Sequence, residues 1–292
     1  MLTCLRWADT AMMEVRKLLK KFNIKPKKSL GQNFLVDQRA LERIVEAAEV
    51  GPEDVILEIG PGLGTLTRCL AAGAGWVVAV ELDQRLVEVL KQTLTDLPNV
   101  EIIHGDILEF NPADLLERHI AGFRYKVVAN LPYYITSAVL RHLLTAEVKP
   151  KLMVVTVQFE VAQRITAEPG DMSLLAVSVQ FYGRPCIVAR IKAGAFYPSP
   201  QVDSAVVRID LGDRPLVEVD DVDSFFEIVR AGFAQRRKQL RNALSAELDL
   251  STSEIAQALS RAGVNPQRRA QTLSIEEWAR VWKEMQALGM SS

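Results

Sequence analysis

Between residues 38 and 210 the chain alternates apolar runs of strand length with stretches of helical period, and no other feature restricts its fold as much. The runs are 55–60, 76–81, 100–104, 125–130, 152–157, 174–181 and 204–210. Most are nearly unbroken Val- and Ile-rich segments without polar alternation, as expected for strands covered on both faces. Between the early runs, 38–50 and 83–94 carry amphipathic helical spacing. Strand, helix and strand in repetition imply right-handed crossovers, hence an open, doubly wound, mostly parallel α/β sheet of seven strands. The last two runs lack a convincing helix between them and are expected to pair as an antiparallel hairpin at one edge.

After Leu211 the pattern is helical throughout. Ser251-Thr-Ser-Glu254 and Ser274-Ile-Glu-Glu277 each read as a capping box, and Gly263 and Pro266 punctuate the interval. The expected division is a catalytic domain, 1–211, opening with a basic segment, 1–37, and a small all-helical domain, 212–292. With 35 Lys and Arg against 36 Asp and Glu, the net charge is -1, so a polyanion-binding surface must come from local clustering. Cys4, Cys69 and Cys186 form no CxxC pair and do not combine with the histidines into a zinc spacing, so no metal is expected. No apolar run reaches the ~20 residues of a membrane span. Arg6, Asp9, Glu14 and Arg16 interrupt any secretory apolar region. Residues 1–21 have the spacing of a basic amphipathic helix, but their acidic residues argue against a transit peptide. A soluble, cytoplasmic monomer is the expectation.

Glu58-Ile-Gly60-Pro-Gly62-Leu-Gly64 ends the first strand and opens a helix. Glycines there permit a tight turn and let a ligand lie against bare backbone at a helix N-terminus. Alone, this fits a dinucleotide site equally well, or a turn with no ligand. Glu81 ends the second strand, where a carboxylate can accept both ribose hydroxyls, and Asp106 follows the third, where it can accept from an adenine amino group. Either acid alone would read as a helix cap. Together, at the carboxyl ends of successive strands, they point to adenosine binding. A hydride carrier shares that ribose logic.

Asn130-Leu131-Pro132-Tyr133 closes the fourth strand. The exocyclic amine of adenine is a poor nucleophile because its lone pair is delocalised. Two acceptors that hold its hydrogens favour a pyramidal nitrogen able to attack a methyl sulfonium. The Asn130 side-chain carbonyl and the Leu131 backbone carbonyl, stiffened by Pro132, supply such a pair, and Tyr133 can stack on the base. This is positioning and electrostatic preorganisation without a strong general base.

Taken in order, Ser29 to Leu35, Glu58 to Gly64, Glu81-Leu-Asp83, Gly105-Asp106, Asn130 to Tyr133, Phe196 to Ser204 and Phe233 to Lys238 resemble the ribosomal RNA adenine N6-dimethyltransferase family, in its small-subunit (16S) branch. The resemblance spans nearly the whole chain. It implies a Rossmann-like class I methyltransferase fold and S-adenosyl-L-methionine as cofactor. It further implies that Gln32, Asn33 and Leu35 close over the methionine part, with Gly60 and Gly62 beneath, Glu81 on the ribose and Asp106 on the adenine amine. Asn130 would orient the target amine, and Tyr133 and Phe196 would sandwich the flipped base, each stack being worth roughly 1–3 kcal/mol. The implied reaction is dimethylation of two adjacent adenosines in a hairpin near the 3′ end of 16S rRNA, on RNA or an immature 30S particle. Tyr134, Phe159 and Ser173-Leu174 depart from the family pattern without removing a functional group.

Cations cluster in two places. Arg16, Lys17, Lys20, Lys21, Lys25, Lys27 and Lys28 lead into Gly31-Gln32-Asn33. On an expected helix, 224–244, Arg230, Arg237 and Arg241 share a face flanked by Arg236 and Lys238. Both patches suit phosphate contacts that position RNA without reading its sequence, and Arg268 and Arg269 extend them. The alternatives are a large-subunit methylase of the macrolide-resistance type, a mainly non-catalytic assembly factor, and a nicotinamide dehydrogenase, which has no use for Asn-Leu-Pro-Tyr.

Overall fold

The computed structural model describes residues 11–119 and 124–288; Cys4, the start of the expected N-terminal amphipathic segment and the last residues of the expected helical domain lie outside them. Helix α1 (Ala11–Lys21) precedes a short strand β1 (Phe34–Leu35) and helix α2 (Gln38–Ala48). Val15 and Leu19 of α1 are buried in a cluster with Phe34, Leu63 and Leu86. The Asp37 side chain caps α2 by accepting the Ala40 N–H.

Strands and helices then alternate as the runs require. They are β2 (Val55–Ile59), α3 (Thr65–Ala71), β3 (Trp76–Glu81), α4 (Gln84–Thr93), β4 (Val100–His104), α5 (Pro112–Leu116), β5 (Lys126–Asn130), α6 (Thr136–Thr145), β6 (Leu152–Gln158) and α7 (Phe159–Ile165). Helix α8 (Leu174–Tyr182) follows, then β7 (Gly183–Ile191), β8 (Phe196–Tyr197) and β9 (Ser204–Leu211). Among the described residues seven strands form one sheet in the order β4-β3-β2-β5-β6-β9-β7, and β1 and β8 pair separately. Strands β2 to β6 are parallel, and β9 runs antiparallel to β6. The chain leaves β2 in one direction through β3 and β4, then returns to its other side for β5 and β6. That reversal opens a crevice beyond the carboxyl ends of β2 and β5. Residues of β2, β5 and β6 are almost all buried, which is why their sequences show no alternation.

The run 174–181 is a helix, not a strand. A short apolar segment buried all round reads the same in either state. Ser173 decides the outcome locally by accepting the Ala176 N–H as an N-cap. The seventh strand is instead Gly183–Ile191, a largely exposed edge strand whose Arg184, Pro185 and Cys186 hide its character.

The chain divides into two compact units: residues up to Ala162 with Arg184–Asp213, and Gln163–Gly183 with Arg214 onward. The second unit thus takes in 163–183 as well as the segment after Asp213. Its later helices are α9 (Val222–Ala234), α10 (Leu240–Glu247), α11 (Thr252–Arg261) and α12 (Ile275–Gln286). Both expected capping boxes form, at Ser251 and at Ser274. The core of this unit is aromatic: Phe181 stacks on Phe225 at 4.8 Å, and Trp282 Nε1 donates to Ser224 Oγ at 2.8 Å. The single helix expected over 224–244 is broken. Gln235 leaves helical geometry, and the first amides of α10 turn to another partner: Leu240 N donates to Arg268 O at 2.6 Å and Arg241 N to Pro266 O at 3.3 Å. A tertiary loop thus caps α10 and overrides the continuous helical period.

Candidate active site

A cavity at the carboxyl ends of β2, β3 and β5 is lined by the segment from Leu30 to Leu35, the glycine turn, Glu81, Asp106 and the residues from Asn130 to Ile135. Gly60, Gly62 and Gly64 all have positive φ, at 67°, 64° and 80°, conformations that a side chain would strain. The turn also has no room: a Cβ on Gly62 would lie 3.1 Å from the Phe34 ring. Gly64 is the N-cap of α3, whose first residues Thr65 and Leu66 line the cavity.

Glu81 is 6% exposed and oriented by backbone at both oxygens. Its Oε2 accepts the Gly62 N–H at 3.0 Å and its Oε1 the Asp83 N–H at 2.9 Å. Burial pushes its carboxyl up, opposed by those two bonds. Each oxygen keeps a lone pair for a hydroxyl. Asp106 Oδ1 accepts the Leu108 N–H at 3.0 Å, leaving Oδ2 toward a donor. Beneath lies Glu58, 1% exposed, with Oε2 lacking a hydrogen-bond partner among the described residues. Burial pushes its carboxyl up to about 8, with the Glu81 charge adding to the effect and Thr67 opposing it.

Asn130 follows directly from its strand. Its register partner Thr156 on β6 accepts the Leu131 N–H through its carbonyl at 3.2 Å. The Asn130 Nδ2 donates to the Asn33 carbonyl at 3.1 Å, while Oδ1 takes no hydrogen bond from the described residues. Pro132 O accepts the Ile135 N–H at 3.2 Å, closing the turn that carries Tyr133. Tyr133 is half-buried and lines the cavity, and its hydroxyl bonds Ser204 Oγ at 2.6 Å. Burial pushes its phenol up, partly offset by Ser204. Tyr134, 57% exposed, forms the rim.

Gln32, Asn33, Leu35, Gly60, Gly62, Glu81, Asp106 and Asn130 thus meet in one place, with Leu131, Pro132 and Tyr133. Phe196 does not join them. Its ring is 2% exposed, in a core cluster with Leu35, Ile191 and Val206, and does not line the cavity. Pairing of β8 with β1 sets Phe196 opposite Leu35, which turns the ring into the core. The sandwich of Tyr133 and Phe196 is therefore not assembled in this conformation. Glu58, Asp83 and Ser204 are site residues to which the sequence alone assigns no role. Glu58 and Ser204 stand inside recognisable motifs, but only folding shows that one is buried without a partner and that the other holds Tyr133.

Of the expected RNA-contacting cations, Arg230 is exposed on α9, and Arg236, Arg237 and Lys238 are exposed in the turn before α10. Arg241 is partly buried, with Nε unpartnered, and the helix break separates it from the face carrying Arg230. Arg268 is spent on the Glu277 carboxylate and Thr272, a structural tie and not a free phosphate ligand. In the N-terminal cluster Lys20, Lys21, Lys25 and Lys28 are exposed, whereas Arg16 lies over the Tyr197 ring at 4.9 Å. Among the described residues no His, Cys, Asp and Glu group could hold a metal ion, and no helix is long and apolar enough to cross a membrane.

A glycine turn, carboxylates at the ends of β3 and β4, and Asn-Leu-Pro-Tyr at the end of β5 accord with an S-adenosylmethionine-dependent methyltransferase of Rossmann-like fold, a class that similarity to known proteins establishes. The residues present fit that cofactor: the positive-φ cradle leaves backbone bare, and Glu81 and Asp106 keep acceptors for its hydroxyls and amine. The family model for ribosomal RNA adenine dimethylase matches residues 23–287, and the chain belongs to that family. A ribosomal RNA small subunit methyltransferase A from Dehalococcoides mccartyi is 48% identical over 267 residues, 91% of each chain. One from Moorella thermoacetica is 45% identical, covering 92% of this chain and 96% of its own. The structure of the 23S rRNA methyltransferase ErmE is 30% identical with a TM-score of 0.70, over 87% of this chain and 100% of its own. A dimethyladenosine transferase from Plasmodium falciparum shares the fold, with a TM-score of 0.74 at 23% identity, over 88% and 98%.

Proposed function

We propose that the chain places two methyl groups on N6 of each of two adjacent adenosines in a hairpin near the 3′ end of small-subunit (16S) ribosomal RNA, free or within an immature 30S particle. The relatives at 45% and 48% identity are small-subunit enzymes by name and match over nine-tenths of both chains. The large-subunit alternative rests on a 23S rRNA methyltransferase that is less similar, at 30% identity.

The observation that carries the chemistry is the orientation of Asn130. With Nδ2 held by Asn33 O, the amide is oriented so that its acceptor Oδ1, unpaired among the described residues, is available to a ligand. It and the Leu131 carbonyl would hold the hydrogens of an incoming amine, pyramidalise its nitrogen and leave the lone pair facing the cavity. S-adenosylmethionine, when bound, supplies the electrophilic methyl group. Glu81 and Asp106 would hold its ribose and adenine over the glycine turn. Each transfer would form one N–C bond as the donor's methyl–sulfur bond breaks, leaving a thioether, and release one amine proton to water, so no side chain needs to act as a strong base. Tyr133 would stack on the extruded base, offsetting the few kcal/mol that extrusion costs. Phe196 would act from below by supporting β1. Arg230, Arg236, Arg237, Lys238 and Arg241 would contact phosphates, the exposed turn residues most directly.

Undermethylated 30S and 50S particles, incubated with protein and labelled methyl donor, test the assignment. Dimethyladenine is expected in small-subunit RNA. Label confined to large-subunit RNA would transfer the chain to the resistance-type activity.

A further inference from the structure

The Gln32 carboxamide is held at both ends. Its Oε1 accepts the Lys27 N–H at 2.7 Å, and its Nε2 donates to Asp83 Oδ2 at 2.9 Å. An amide, with one accepting and one donating end, is the group that fits between a backbone donor and a carboxylate. Asp83 is a firm anchor. Its side chain is 2% exposed, Arg85 bonds both of its oxygens, and Lys27 Nζ lies 3.5 Å away. The Arg85 guanidinium holds this carboxyl well below the usual carboxylate range, so it stays an ionised acceptor.

This anchor holds a strap, residues 27–35, that lies against the 130–135 loop and packs Phe34 on the glycine turn. At Gly31, with φ +60°, an added Cβ would lie 3.3 Å from Pro132 and 3.4 Å from Tyr134. Two residues on, Asn33 presents the carbonyl that takes Asn130 Nδ2. If the strap lifts, the Asn130 amide is freed from the hydrogen bond that selects its orientation, and either its oxygen or its NH2 can face the amine.

We propose that Asp83 is a positioning residue for methyl transfer: by holding Gln32 it latches the strap, and through Asn33 O it keeps Asn130 Oδ1 aimed at the substrate amine. This rests on Asn130 being the acceptor for that amine. It also gives Gln32 a role distinct from direct contact with the cofactor.

An isosteric swap of polarity tests it. Gln32→Glu keeps the acceptor for Lys27 N–H but sets a carboxylate against Asp83. Asp83→Asn sets two amide donors against each other, and flipping Gln32 only moves the clash to Lys27 N–H. In the double variant the introduced carboxylate accepts from the introduced amide, and the bond returns with reversed polarity. Two quantities are measured: kcat at saturating S-adenosylmethionine and rRNA substrate, and hydrogen exchange of amides 27–33 in the ligand-free protein. Each single variant loses a hydrogen bond to a charged group and should lower kcat about tenfold to a hundredfold and speed exchange. Because Arg85 Nη2 donates to the same Asp83 oxygen as Gln32, the double variant should regain most of the Asp83→Asn loss in both quantities without reaching the parent. A role for Asp83 only as helix cap or partner of Arg85 gives no rescue by Gln32→Glu. Losses that multiply in the double variant, or singles indistinguishable from the parent, overturn the proposal. Protection lost in the singles and regained in the double variant, where the parent methylates no rRNA adenine, would instead fault the reading of the reaction and support the latch.

Discussion

Asn130 Nδ2 donates to the backbone carbonyl of Asn33 at 3.1 Å, across 97 positions of chain, and this bond leaves Oδ1 as the free end of the carboxamide in the cavity. A strand end and a distant strap thereby share control of one acceptor atom. The orientation follows from donor and acceptor chemistry, since Asn33 offers only an oxygen there.

Asn130→Ala should therefore lower kcat by about a hundredfold to a thousandfold, the scale for loss of one preorganised polar group. S-adenosylhomocysteine binding, followed by calorimetric titration, should change little, because Glu81 and Asp106 stay in place. Asn130→Asp should fare no better: its carboxylate would face the Asn33 carbonyl, acceptor against acceptor. Unchanged single-turnover rates in either variant would remove Asn130 from the chemistry.

Glu58 should leave a signature in the pH dependence of stability. Its carboxyl is raised from 4.5 to about 8 in the folded protein, so folding favours the protonated form. The contribution is fully present below the unfolded pKa. It is lost as pH rises between the two values, with a slope of at most about 1.4 kcal/mol per pH unit. Above the folded value it is constant. Glu58→Gln stays neutral and should lack this decline when urea denaturation of the ligand-free proteins is compared at about pH 5.5 and about pH 8. Equal declines would show that Glu58 ionises without penalty.

Ser204 is fully buried and its hydroxyl is the partner of Tyr133. Ser204→Ala leaves the phenol half-buried without that bond, at a cost of about 1–2 kcal/mol. Because Tyr133 lines the cavity, part of that cost should show as a severalfold rise in KM for RNA. Cofactor affinity should be unaffected. A variant with normal steady-state constants would make Ser204 merely a filler of the sheet edge.

The exposed turn formed by Arg236, Arg237 and Lys238 should govern the electrostatics of RNA binding. Replacing all three by Gln should weaken binding at low salt and reduce the slope of log K against log salt by roughly 0.7–0.9 for each phosphate no longer neutralised. Arg268→Gln, which breaks the tie to Glu277, should instead lower thermal stability with little change in that slope. Equal slopes for the parent and the triple variant would return the turn to the role of a solvated surface.

Gly232 sits against Trp278, where an added Cβ would come within 2.5 Å of the indole. Gly232→Ala should destabilise the second unit by about 1–3 kcal/mol through overpacking. Thermal unfolding followed by tryptophan fluorescence reads this directly, and an unchanged midpoint would mean that the indole shifts without cost.

Much of the site was legible in the residues because strand ends are legible. Glu81 and Asn130 close apolar runs whose burial leaves no alternation to misread, and parallel order carries both ends to one edge. The run 174–181 was not legible in the same way, since an apolar segment buried on all sides has no period. Nor was the break at Gln235, because the groups that cap α10 lie on a loop around Pro266 and Arg268. Phe196 stood in a recognisable motif, yet its ring direction is set by pairing with Leu35.

From its residues alone the chain settled which groups are chemically able to bind an adenosine cofactor and to activate an amine. Local spacing and backbone preference suffice for that: glycines where φ must be positive, acids and an amide where strands end. Only the tertiary structure decided which atom of each group remains free. Among the described residues Asn130 keeps its oxygen and Glu58 an unpartnered one, while all three Arg268 nitrogens are engaged by Thr272 and Glu277, because many hydrogen-bond partners are assigned by neighbours far apart in the chain.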